Sequence, residues 1–292
     1  MRQYTKVIST TRVDAHGDIL QRDDLERMAA RMAREYTLVG YGHDIRHPPI
    51  GRIVSTRLIK QEDGEYVLEG TFEIWDKNDD ISSSIGDGRK IKLDIPDYNK
   101  LTILYNTLSL NQNDLQILSG IAKLGFQLKD DRIEKAYDPA ISSIIFYGSI
   151  MALGVFITGV FNQLGQEAIK AVIKKLKELY SSSLSGERLV IFKFPIIYDG
   201  SRHELDVVLE KSSDVEELSK CSSKHIEELV KSAFASEPRT IKVVIGCTDG
   251  EFHILYSVRD DGAPSIIAPI SDDELIQGDL SSEGTAKRTP HR

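Results

Sequence analysis

The chain has 292 residues, 40% hydrophobic and 28% charged, the make-up of a folded protein long enough for two domains. A net charge of −8, with no stretch rich in Lys and Arg, argues against nucleic-acid binding. Two cysteines, Cys221 and Cys247, with no CxxC or Cys/His cluster near them, exclude a disulfide framework and a zinc site and read as reduced, buried thiols. No cofactor is expected. The opening MRQYTKVISTTRVDAHGD holds no apolar signal region, which predicts a cytoplasmic chain.

Residues 4–13 are rich in β-branched side chains and predict a strand. DAHGD (14–18) follows. There Asp14, His16 and Asp18 alternate as metal ligands would, but Gly17 and the Asx chemistry favour a turn, so no metal site is predicted. Leu25, Met28, Ala29, Met32 and Ala33 share one helical face behind Asp23 and Asp24. TLVGYGHD predicts a strand running to His43, broken by Pro48 and Pro49. GRIVSTRLIKQ and EYVLEGTFEIW predict a hairpin around Glu62-Asp63-Gly64. NDDISSSIGDGRK predicts a short helix capped by Asp79 or Asp80, and KIKLDIP a strand after it. Residues 115–128 read as an amphipathic helix interrupted by Gly120 and Gly125.

From Pro139 to Gln166 no residue is charged, and 141–161 (ISSIIFYGSIMALGVFITGVF) meets the length of a membrane-spanning helix. Gly148, Gly154, Gly159 and Gly165 suit a membrane helix, and Lys170, Lys174, Lys175 and Lys177 suit its cytoplasmic flank. The competing expectation is a soluble core helix, apolar all round. Residues 166–180 repeat apolar side chains with helical spacing. After a linker at 181–187, RLVIFKFPIIY and HELDVVLE predict strands around an Asp199-Gly200 turn. A helix follows, with Ser213 or Asp214 as cap, and then a hairpin around Asp249-Gly250. The polar tail from Ser271 is expected to be disordered.

The stretch from Val13 to Ile95 carries VDAHGD (13–18), GHDIRHPPIGRI (42–53), an EYVLEGTF strand, DGRK and KLDIP (92–96) in order. That series resembles the phage prohead maturation proteases, which share a fold with the herpesvirus assemblins. The resemblance covers about a third of the chain and rests on the order of the motifs, since no single one is specific. It implies a serine peptidase in which a histidine base activates a serine on a Leu-Ser-Ile-Gly strand. His43 falls at the histidine position and Asp94 at the serine position, because Leu93-Asp94-Ile95-Pro96 replaces the family's strand motif. An aspartate cannot do the serine's acyl transfer and would instead pair with protonated His43. Pro96 also removes an N–H where an oxyanion donor is needed. Ser84, in Ser84-Ile85-Gly86, is the alternative nucleophile. Histidines near strand ends are also commonly structural, and His43 carries that reading too.

The expectation is therefore an α+β protein in three parts. Residues 1–100 form a β-rich prohead-protease-like domain. Residues 101–182 form a helical region with the apolar segment 139–166 and the amphipathic helix 166–180. Residues 187–270 form a small α/β unit. The expected function is a non-catalytic binding or assembly module, a pseudoenzyme with a phage, prophage or phage-defence setting by analogy. It would engage a protein partner or a second copy, with membrane association through 139–180. An active serine peptidase, and a membrane-active effector with a sensing N-terminal domain, are the alternatives.

Overall fold

The computed structural model describes residues 1–13, 19–40, 44–75, 87–93, 101–105, 110–130, 141–148, 151–152, 170–182, 187–221 and 223–267. It is a mixed α and β structure with two sheets.

The N-terminal sheet is antiparallel. Strands β1 (Arg2–Thr10), β2 (Thr37–Val39), β3 (Gly51–Lys60) and β4 (Tyr66–Ile74) lie in the order β1-β4-β3-β2. Gly64, with φ +90°, makes the β3–β4 turn that the Asp-Gly pair predicts. Helix α1 (Arg22–Met32) starts where Asp24 reaches back to the backbone N–H of Gln21 at 2.9 Å. It packs against β3 and β4 and buries Leu25 and Met32.

The second sheet holds nine strands: β5 (Thr102–Tyr105), β6 (Gln127–Asp130), β7 (Ile141–Tyr147), β8 (Met151–Ala152), β9 (Glu187–Tyr198), β10 (Ser201–Leu209), β11 (Thr240–Thr248), β12 (Glu251–Arg259) and β13 (Pro264–Ile267). Their order is β13-β12-β11-β10-β9-β7-β5-β6, with β8 pairing β9 beyond the end of β7. The pairs β10/β11, β9/β7, β9/β8 and β5/β6 are parallel, and the rest are antiparallel. Asp199 and Gly200 (φ 47° and 73°) and Asp249 and Gly250 (φ 53° and 82°) form the two predicted two-residue hairpin turns.

Among the described residues, four helices cover one face of this sheet: α2 (Gln112–Ala122), α3 (described over 170–181), α4 (Ser212–Lys220) and α5 (Ser223–Ser236). Ile117, Ile121, Leu176, Leu179, Val230 and Phe234 press from them onto Ile144, Phe146, Val190, Leu205 and Val207 of the strands. The other face carries a second apolar layer, Leu189, Ile191, Val208, Val244, Tyr256 and Val258, met by Leu38, Ile45 and Ile91 from the N-terminal part of the chain. The mixed sheet thus lies between helices and N-terminal residues.

That sandwiching corrects the reading of 141–161 as one apolar helix, in a membrane or in a core. Residues 141–147 are a strand hydrogen-bonded to β5 and β9. Ile144 and Phe146 face the helices while Ile145 packs into the opposite apolar layer. A strand covered on both faces has no polar side and shows no period of two, so its sequence looks like a fully buried helix. Residues 153–169 lie outside the described residues. Among the described residues no helix is long and apolar enough to cross a membrane.

Other expectations shift as well. Region 101–182, expected to be helical, contributes strands β5 to β8, and these share one sheet with the strands after residue 187. The helix expected over 115–128 ends at Ala122, and beyond Gly125 (φ +111°) the chain becomes β6. α4 starts one residue before Ser213, after Lys211, and Asp214 serves from its first turn by accepting the N–H of Glu210 at 2.8 Å and of Lys211 at 3.1 Å. Residues 90–93 form no strand. Lys90 makes an isolated bridge with Glu35 instead.

Candidate functional site

His43, Ser84 and Asp94 all lie outside the described residues, as do Asp14, His16 and Asp18, so the family's nucleophile–base geometry is not among the contacts below. Their described neighbours are firmly engaged. Asp44 is buried and takes Arg46 Nη2 at 2.6 Å and Nε at 2.9 Å, with His47 Nε2 at 3.6 Å. Burial pushes its carboxyl up, but the Arg46 contacts outweigh that and hold it below the usual range.

Residues 87–93, which lead into Asp94, form a strap across both sheets. Arg89 donates to the carbonyls of Met32 (2.9 Å) and Val54 (2.6 Å) and pairs with Asp87. That pairing, with the Tyr36 hydroxyl donating at 2.6 Å, holds the Asp87 carboxyl well below its ordinary value. The Tyr36 ring has Arg52 at 4.3 Å and Arg89 at 4.6 Å from its centroid. Beyond this, Ile91 N–H donates to the Asp260 carbonyl at 2.7 Å and Lys90 Nζ meets the Asp260 carboxylate at 2.9 Å. Ile91 itself sits in the apolar layer.

The densest chemistry is elsewhere, on the mixed sheet. Glu204 and Asp206 alternate along β10, so both face away from the helix-covered core that holds Leu205 and Val207. The register sets Lys193 of β9 opposite Asp206 and Lys242 of β11 beside Glu204. Lys193 Nζ lies 3.3 Å from Glu204 Oε1 and 3.0 Å from Asp206 Oδ2. Lys242 Nζ lies 2.6 Å from each of the same two oxygens.

Glu204 is 6% exposed and Asp206 0%. Their environments push them apart. Burial raises both, but the two ammonium groups win at Glu204 and hold it well below the usual range. Asp206, fully enclosed and beside the charge of Glu204, is pushed above it. Desolvation disfavours the charge on Lys242, yet the two carboxylates hold its ammonium charged well above the usual value. Tyr256, whose hydroxyl donates to the Ile45 carbonyl at 2.8 Å, is within electrostatic reach of all three groups. Ile45 stands two positions after His43 in the sequence.

This cluster was not singled out from sequence. Its signal was there: single charges inside otherwise apolar strands, Lys193 in IFKFPII, Glu204 and Asp206 in HELDVVL, Lys242 in TIKVVIG. Among the described residues no group of three or more His, Cys, Asp and Glu is placed to hold a metal ion.

No family model matches the chain. No curated protein and no solved structure matches it either.

Two other features are structural in character. Asp114 and Arg188 form a buried fork (Nη1–Oδ1 3.0 Å, Nη2–Oδ2 2.8 Å) that joins the start of α2 to β9. A shallow cleft of about 480 Å³ beside it is lined by Asn113, Ile117, Lys174, Glu178 and Ser181. Cys221 and Cys247 are not joined in a disulfide, and burial pushes both thiols up, Cys247 to about 11, which makes them poor nucleophiles.

Proposed function

We propose that the chain is a non-peptidase binding or assembly protein, in which a degenerate prohead-protease-like segment serves as a docking module. Asp94 at the family's nucleophile position is the sequence basis of this reading. The observation that supports it is the strap. The residues immediately before Asp94 are spent on intramolecular contacts, through Ile91 and Lys90 to Asp260 and through Arg89 to Met32 and Val54. A peptidase needs the edge near its nucleophile open to an extended substrate. In this chain Lys90 and Ile91, four and three positions before Asp94, are engaged by Asp260 at the end of the second sheet. The partner is a protein or a second copy of the chain, in a phage or phage-defence setting.

The experiment is labelling with a fluorophosphonate probe beside an assay of casein cleavage. No labelling and no cleavage are expected. Labelling that disappears in Ser84→Ala would establish the active-peptidase alternative instead.

A further inference from the structure

We propose that two copies of the chain join through the free edge of β1, so that their N-terminal sheets become one continuous antiparallel sheet with its two-fold axis at Thr5. This interface rests on the assembly role given above and gives it a surface and a partner.

Sheet edges are ordinarily kept short, or guarded by charge, proline or a bulge, because their unpaired backbone groups recruit another strand. The other strands that end a sheet, β2, β6 and β13, have three, four and four residues. β1 has nine, ends the order of its own sheet among the described residues, and is exposed from Arg2 to Val7. Tyr4 and Val7 leave large apolar side chains in water there, at 45% and 50% exposure.

The hydrogen bonding fixes which groups face outward. Thr11 N–H donates to the Tyr66 carbonyl at 3.0 Å, and Trp75 N–H donates to the Ile50 carbonyl at 2.9 Å. Even-numbered residues of β4 therefore bond toward β1, and odd-numbered ones toward β3. Opposite the even-numbered ones stand Arg2, Tyr4 and Lys6. Gln3, Thr5 and Val7 then turn their backbone N–H and C=O groups away from the sheet. None of the three is charged or proline. The bulge between Val7 and Ser9 closes this regular run.

Charge selects the occupant and the register. An antiparallel pair related by a two-fold axis must centre on a residue, because opposed side chains share a face. Centred on Lys6, two ammonium groups would oppose each other. Centred on Tyr4, Arg2 would oppose Lys6. Centred on Thr5, Lys6 of each copy meets Tyr4 of the other, a cation beside an aromatic ring in the closer kind of cross-strand pair. Gln3 then exchanges main-chain hydrogen bonds with Val7, and Thr5 with its own copy. Tyr4 is already held in place by stacking on Phe72, with ring centroids 5.2 Å apart. The strand is complementary to itself in this register.

The test is the mass of the full chain in solution, by light scattering across a concentration series. A dimer that dissociates on dilution is expected. Thr5→Pro should leave a folded monomer, because the N–H it removes faces away from β4. Thr5→Cys should form a disulfide between copies on mild oxidation, since residues paired in this way have Cα atoms about 5.5 Å apart. Gln3→Cys should not, and it also measures the background from Cys221 and Cys247. Monomer at every concentration, or a dimer that survives Thr5→Pro, would overturn the proposal. Should Thr5→Pro fail to fold, the cysteine variants decide: equal cross-linking in both, or none in either, is equally fatal. A dimer that reacts with the fluorophosphonate probe would refute the non-peptidase reading and leave this interface standing. An unreactive monomer would do the reverse.

Discussion

Arg52 in β3 donates from Nη1 to the main-chain carbonyl of Asp261, 2.8 Å away and 209 positions further along the chain. Its Nε holds Glu73 Oε2 at 2.7 Å, and its guanidinium lies over the ring of Tyr36. One buried side chain therefore ties the N-terminal sheet internally and fastens it to the turn between β12 and β13.

Replacing Arg52 with Met should cost about 3 kcal/mol, because the Glu73 carboxylate is left buried without its partner. The double variant Arg52→Met/Glu73→Met should recover much of that loss. Urea unfolding measures both. A loss under about 0.5 kcal/mol for the single variant would mean that the pair contributes no more than a surface contact.

Ile144 in β7 has no exposed surface and sits among Phe146, Val190 and the helices. Ile144→Ala should cost about 2–4 kcal/mol. The backbone amides of β7 that bond to its neighbours should exchange with deuterium only at the rate of global unfolding. Fast exchange there would contradict a central strand.

Asp114 is pushed up by burial, but Arg188, Ser182 and the Asn111 N–H together hold it below its usual value of 3.8. A folded pKa below the unfolded one gives stability that is complete above about pH 4 and is lost as pH falls through the lower folded value. Wild-type unfolding free energy should therefore drop steeply below about pH 4. Asp114→Asn should start about 3 kcal/mol lower at neutral pH, leaving Arg188 buried and unpaired, and should show a shallower acid slope. An identical slope in both would exclude Asp114 as a source of the acid sensitivity.

His203 is also buried, and burial lowers its pKa below 6.5 against the opposing hydrogen bond to the Thr240 carbonyl. The fold therefore favours neutral imidazole. Its contribution is complete above the unfolded value and declines as pH falls through 6.5. His203→Phe, which keeps the ring packing against Tyr198 and Phe234, should remove that part of the pH dependence at an offset of about 1 kcal/mol for the lost bond. Thermal melts between pH 7.5 and 5 compare the two chains, and parallel curves would rule His203 out.

Sequence reading succeeded where structure is local. Asp199-Gly200 and Asp249-Gly250 announced their turns because both positions require positive φ. α1 and α3 showed helical spacing because each buries a single stripe. The reading failed where neighbours come from far along the chain. β7 is covered on both faces, and its pairing with β5 and β9 makes it a strand. The four-charge cluster joins three strands, and its parts look like isolated charges until β10 is set between β9 and β11. Of the sequence-derived site, His43, Ser84 and Asp94 fall outside the described residues.

The placement of β7 has a consequence during synthesis. The ribosome makes Ile141–Tyr147 about 40 residues before the first residue of β9, its parallel partner. At roughly 5–20 residues per second, the strand waits some seconds with, among the described strands, the four-residue β5 as its paired neighbour. During that interval an Ile- and Phe-rich edge is open to any nascent chain nearby. Yield in a cell should therefore follow translation speed over residues 148–187 and the supply of holdase chaperones, more than the stability of the finished fold.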